Sequence, residues 1–179
     1  MPISTEKLVR LAQGGSKDAF IQLMEMQKTS MMRAAMAILQ DQEDTADAVA
    51  ETVAEAFSQL CGLRQPKYFK TWLTRALISN CYDILRQRRR TIPLGQLPEI
   101  PSPGGQPSDQ VLDIRESLAA LAENDRLVLS LYYLDGFRVR EIAKILGVKE
   151  GAVKSRLMRG RQRLKKIYLE REGNTCGTK

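Results

Sequence analysis

Four carboxylates, Asp44, Asp47, Glu51 and Glu55, recur at three- and four-residue steps in "DTADAVAETVAEAF". A helix would bring them close to one face, beside the apolar Val49, Val53 and Phe57. Such a stripe could bind a divalent cation, dock on a basic partner or face water. No convergent partner group accompanies it, so a metal-dependent hydrolase is the weakest of these readings. The chain has no histidine, which removes His general bases, Ser-His-Asp triads and two-His metal sites together. A P-loop-type Gly-rich phosphate loop is also missing. Cys61, Cys81 and Cys176 show no CxxC spacing, which argues against a zinc site or disulfide framework and for reduced thiols. The expectation is a protein with no catalytic residue, no metal and no cofactor of its own.

A second concentration of chemistry lies in "GVKEGAVKSRLMRGRQRLKK", residues 147–166, with eight Lys or Arg and one acid. At 3.6 residues per turn Val153, Leu157 and Leu164 face inward, while Lys154, Ser155, Met158, Arg159 and Gln162 share the opposite face. Arg and Lys can donate to guanine O6 and N7, and Ser is an adaptable partner. Arg156, Arg161, Arg163, Lys165 and Lys166 flank that face at positions suited to phosphates. A solvated basic helix and a membrane-surface helix are the alternatives; the second lacks Trp or Phe on its apolar side.

The elements needed to hold these residues are helical. Apolar residues recur at helical spacing through Leu8, Leu11, Phe20, Leu23 and Met24, and through Ala46, Val49, Val53, Phe57 and Leu60. Lys67 to Arg90 forms another helix, with "RQRRR" at its negative dipole end. Five of the seven prolines, with three glycines, fall in residues 91–110, which reads as a linker. Short helices near 111–122 and 125–134 follow, then a break at Asp135-Gly136. "FRVREIAKIL" and a second helix starting at Lys149 or Glu150 have helix-turn-helix grammar: Ile142, Ala143 and Leu146 on one apolar side, Ala143 small for a close crossing, and Gly147 free to take positive φ. An all-α fold is expected, as two small helical domains, 1–90 and 111–179, joined by the tether.

Charge follows the same division. The formal net charge is +7, yet residues 1–85 carry nine basic and ten acidic side chains, against fourteen and five in 126–179. A polyanion would bind the C-terminal part. The N-terminus has no charged segment followed by an apolar run, and no window reaches membrane-span length, so a cytoplasmic protein without membrane insertion is expected.

At this point "ENDRLVLSLYYLDGFRVREIAKILGVKEGAVKSRLMRGRQRLKK" resembles the minus-35-binding domain of extracytoplasmic-function sigma factors of bacterial RNA polymerase. "DAVAETVAEAF" and "FKTWLTRALISNCYDILRQRRR" resemble, in order and separation, that family's polymerase-binding and minus-10-binding helices. The likeness covers roughly residues 6–168.

The resemblance implies a factor that binds core RNA polymerase at the β′ clamp helices and β flap, recognises both promoter elements and promotes strand opening. It also brings an anti-sigma protein into view as a partner. By this likeness Asp44, Asp47, Glu51 and Glu55 face the clamp, with Asp47 and Glu51 the best-matched positions. Lys149, Lys154, Ser155, Arg156, Met158, Arg159, Arg161 and Arg163 would meet duplex minus-35 DNA. Lys67, Lys70, Trp72, Arg75, Ser79, Asn80, Asp83 and Arg86 would meet melted minus-10 DNA, a mixture of cations and flat or polar groups that suits unpaired bases. The family's asparagine aligns with Ser79, with Asn80 one place later; Trp72 reads as core or groove wall ahead of base stacking. The rival is a helix-turn-helix repressor or activator that binds duplex DNA alone as a symmetric dimer.

Overall fold

The structure, a computed structural model, describes residues 4–91 and 117–175, and every regular element among them is helical. The chain divides into two compact units, Met1–Pro101 and Ser102–Lys179. From residue 92 onward the Pro-rich segment lies outside the described residues, as do residues 111–116 and Cys176.

The first unit opens with α1 (Thr5–Gln13) and α2 (Lys17–Leu39), whose N-caps Ser4 and Ser16 accept from the backbone N–H of Lys7 and Ala19. These hydroxyls satisfy donors that the first helical turn leaves without partners. A left-handed Gln40 (φ 53°) ends α2, and Asp41 caps α3 (Gln42–Gln59) by accepting from Asp44 N–H at 2.9 Å. Two short 3-10 turns, Leu60–Gly62 and Pro66–Tyr68, lead into α4 (Phe69–Thr91). Helices α2, α3 and α4 pack on one another with α1 against α2. Their centre is Leu8, Val9, Leu23, Phe69, Leu73 and Leu77, each at most 1% exposed. Gln13 Nε2 donates to the carbonyls of Leu60 (3.0 Å) and Leu63 (2.9 Å), tying the end of α1 to the turn after α3.

Several expected apolar positions stand outside the core: Leu11, Ala46 and Phe57 are exposed, and Val49 and Val53 are half-buried. Helix α3 buries Thr45, Ala48, Thr52 and Ala56 instead. The buried set is small, so the backbones of α2, α3 and α4 can approach closely; Ala34, Ala35 and Ala37 play the same part on α2. Thr52 loses no hydrogen bond there, because its Oγ1 donates to Ala48 O at 2.6 Å. Phe57, 58% exposed, lies edge-on over the buried Phe20 ring at 5.2 Å.

The second unit contains α5 (Glu123–Leu129), a π-helical turn (Ser130–Leu134), α6 (Val139–Leu146) and α7 (Glu150–Thr175). Leu127, Val128, Leu131, Ile142 and Val153 are fully buried. Gly136 and Gly147 take positive φ (71° and 65°), the first at the Asp135-Gly136 break and the second where α6 stops. Gly147 N–H and Val148 N–H both return to Ala143 O, so α6 ends cleanly and α7 starts three residues later. Ile145, not Leu146, completes the buried side of α6 with Ile142 and Ala143, while Leu146 is half-buried.

Candidate nucleic-acid interface

Helix α7 packs on α5 and α6 through Val153 (0% exposed) and Leu157 (5%), with Leu164 half-buried two turns on. Anchoring that stripe fixes the rotation of the helix, and Lys154, Ser155, Met158, Arg159 and Gln162 emerge exposed. Met158 leaves 51% of its surface in water. Ser155 Oγ donates to Gly151 O at 3.0 Å, and Arg161 Nε to Leu157 O at 3.2 Å. Lys149, Arg163, Lys165 and Lys166 are exposed, and Arg156 is half-buried. The scaffold therefore presents a polar strip flanked by cations, with dimensions that a major groove admits.

Three further residues shape this unit. Gly160 is buried on α7 where a Cβ would stand 2.7 Å from Leu129 Cδ1 and 3.5 Å from Asp125 Cβ, so any larger residue would force the Leu129 side chain on α5 to shift. Asp125, in the first turn of α5, accepts from Arg159 Nη2 at 3.3 Å. Arg126 is 6% exposed and donates to the carbonyls of Ala119 (3.1 Å) and Leu121 (2.9 Å); burial holds its pKa below the usual arginine value. The interior glycine of "LMRGRQ" was a legible hint of close backbone approach. Nothing in the spacing of Asp125 or Arg126 signalled their partners.

On α4 the outward side carries Arg75, Ser79 and Arg86 exposed, with Trp72, Asp83 and Lys70 half-buried. Arg86 pairs with Asp83 along the helix. Trp72 leans on the buried Phe69, ring centroids 6.2 Å apart, and so forms a wall with one edge in solvent. Lys67 sits over the Tyr68 ring at 5.0 Å. Asn80 points elsewhere: its Nδ2 donates to Thr52 Oγ1 and Glu55 Oε2, both at 3.1 Å. Ser79 and Asn80 thus sit on different sides of α4, about 100° apart.

The carboxylate stripe of α3 divides. Asp47 and Glu51 are exposed, whereas Glu55 receives Asn80 and Asp44 receives Arg88 from α4. Arg88 Nε lies 2.7 Å from Asp44 Oδ2, a charge contact without good hydrogen-bond alignment, and Arg88 also reaches Asp41 at 3.5 Å. The Asp44 N–H and then Arg88 hold the Asp41 carboxyl below its ordinary value, whereas burial raises that of Asp44 against the pull of Arg88. Burial also pushes the Cys81 thiol on α4 up to about 12. Among the described residues no cluster of three or more Cys, Asp or Glu is placed to hold a metal ion, and no helix is long and apolar enough to cross a membrane.

Residues 23–91 match the family model for Sigma-70 region 2, and residues 112–164 match that for Sigma-70, region 4. The chain is 28% identical over 173 residues to the probable RNA polymerase sigma factor RfaY of Xanthomonas campestris pv. campestris, covering 89% of this chain but 43% of that protein. It is 25% identical over 182 residues to the ECF RNA polymerase sigma factor SigW of Bacillus subtilis, covering 93% of this chain and 97% of that protein. In fold it is similar to the sigma factor RpoE in a complex with the anti-sigma factor NepR from Bartonella quintana, with a TM-score of 0.69, 24% identity, and 86% and 98% of the two chains covered. The matched regions follow the family's order, one in each compact unit, with the acidic helix and the two basic helical faces inside them, and the chain belongs to the extracytoplasmic-function sigma factors of the sigma-70 family.

Proposed function

We propose that this sigma factor reads a promoter at two points and opens it by differential binding. The observation that carries the reading is the pair of outward polar and basic helix faces, one on α4 and one on α7, each fixed in rotation by a buried stripe of its own unit. Lys154, Ser155, Met158 and Arg159 meet base edges of the minus-35 duplex, and Lys149, Arg156, Arg161 and Arg163 meet its phosphates. On α4, Lys67, Lys70, Arg75 and Arg86 track the melted minus-10 strand, Trp72 forms the wall of its path, and Ser79 and Asp83 face its bases. Asn80 supports that surface from behind by joining α4 to α3.

Core polymerase docks its β′ clamp helices on Asp47 and Glu51, with Asp44 and Glu55 bracing α3 against α4; the β flap meets the second unit. An anti-sigma protein is a further partner, supported by the family likeness. The factor works in the cytoplasm and makes no bond itself. Unpaired bases gain contacts that paired bases cannot make, against an unstacking cost of a few kcal/mol per base, on the order of that seen for flipped nucleotides.

Reconstitution tests the reading. The full chain is combined with core polymerase on a promoter selected from random duplexes, unpaired thymines are probed chemically, and run-off transcripts are measured. Core binding, thymine reactivity near minus-10 and a discrete transcript are expected; failure to bind core would sink the proposal.

A further inference from the structure

We infer that Asp125 is a positioning residue for promoter reading: from α5 its carboxylate fixes the guanidinium of Arg159 on the exposed side of α7. The inference rests on the reading of α7 as the minus-35 helix. Gly160 lies beside the contact: a Cβ there would stand 2.7 Å from Leu129 Cδ1 and at an ordinary 3.5 Å from Asp125 Cβ, so α5 packs close against α7 next to Arg159. The two partners are unequally held: the Asp125 side chain is 13% exposed and the Arg159 side chain 58%, so the carboxylate is the fixed post and the guanidinium the aimed group. Their separation is 3.3 Å, between Arg159 Nη2 and Asp125 Oδ1.

One nitrogen of Arg159 is thereby engaged, and an arginine fork carries five donors in a rigid plane. In this proposal the remaining donors serve DNA on the exposed face that also carries Lys154, Ser155 and Met158. An unrestrained arginine on a helix surface samples many rotamers and binds whichever phosphate is nearest. Held at one nitrogen, it has a preferred plane, and a preferred plane is what bidentate recognition of a guanine edge needs.

Positioning has a signature that a merely structural role does not share. Removing Asp125 removes a negative charge near DNA, so sequence-blind affinity should hold or rise. Discrimination between bases should fall. Loss of a structural support would instead lower both, together with thermal stability.

Holoenzyme assembled from core polymerase and the full chain is measured at fixed salt on a selected promoter, on versions with each minus-35 base pair replaced in turn, and on promoter-free duplex. Asp125→Ala should lower discrimination at one or two positions by about 3- to 10-fold, a part of what one good bidentate contact provides. Promoter-free affinity should not fall, Asp125→Glu should restore part of the loss, and Asp125→Ala should add nothing when Arg159→Ala is already present. Asp125→Asn, which keeps the shape and removes the charge, serves as the second variant if alanine unfolds the unit. If Arg159→Ala relaxes base preference while both Asp125 variants leave it intact, the positioning role is overturned and the α7 reading survives. If Arg159→Ala changes no preference, the reading of that face is lost and the inference with it. Sharper discrimination in Asp125→Ala would also overturn it, since the carboxylate would then be withholding Arg159 from DNA.

Discussion

Ser79 and Asn80 are adjacent, polar and similar in size, yet the fold gives them different work. Asn80 donates twice into the α3 contact, to Thr52 and Glu55, while Ser79 stands exposed on the outer side of α4. Asn80→Ala should therefore lower the thermal stability of the first unit by about 1–2 kcal/mol and leave minus-10 base preference intact, because it strands partners in a partly buried contact. Ser79→Ala should leave the melting temperature unchanged and shift minus-10 preference. Scanning calorimetry and open-complex assays on minus-10 variants separate the two, and a base-preference change in Asn80→Ala alone would reverse the assignment. Arg88 is the comparable residue near the C-terminal end of α4. Through Asp41 and Asp44 it fastens the arginine-rich end of α4 to the start of α3.

At the scale of elements, α5 packs closely against α7 at Gly160. Gly160→Ala should destabilise the second unit by about 1 kcal/mol, because the clash with the buried Leu129 outweighs the helix-propensity gain of alanine. Denaturant melting should show the loss, and Leu129→Val should recover part of it in the double variant. The helices themselves were legible in the sequence wherever large apolar residues line the buried side: Val153 and Leu157 set the rotation of α7, and Gly147 marked its turn. Helix α3 was not legible in the same way. Its buried positions are Thr45, Ala48, Thr52 and Ala56, chosen for closeness rather than apolar bulk, so hydrophobic spacing pointed to Val49, Val53 and Phe57, roughly one residue round the helix. The carboxylate stripe was visible for the same reason that its division was not. Spacing shows which residues share a face, but not which neighbouring helix runs along its edge, and here α4 takes up Asp44 and Glu55. Asp125 and Arg159 lie 34 residues apart, a pairing that no local periodicity contains.

For the molecule as a whole, most of the excess positive charge falls in the second unit, proposed to meet duplex DNA, and the more nearly balanced first unit carries both the acidic helix α3, proposed for docking, and α4, proposed for melting. The two surfaces should accordingly fail in different ways. On a template already unpaired around minus-10, the defect of Arg75→Ala or Trp72→Ala in open-complex formation should shrink, since the unstacking step has been removed. The defect of Lys154→Ala should be unchanged, because its target remains duplex. Equal rescue of all three variants, read by run-off transcription on duplex and premelted templates, would contradict the division.

Helix α7 runs unbroken over 26 residues, through the polar strip and the basic turns that follow it, a rod about 39 Å long at 1.5 Å per residue. Tyr168 stands exposed on the same rod as Lys154, about 21 Å further along by the same rise. A dye attached at that tyrosine is thus a pointer with a known offset: its polarisation follows the tilt of the reading strip, and energy transfer to labelled DNA converts that tilt into a distance measured in solution.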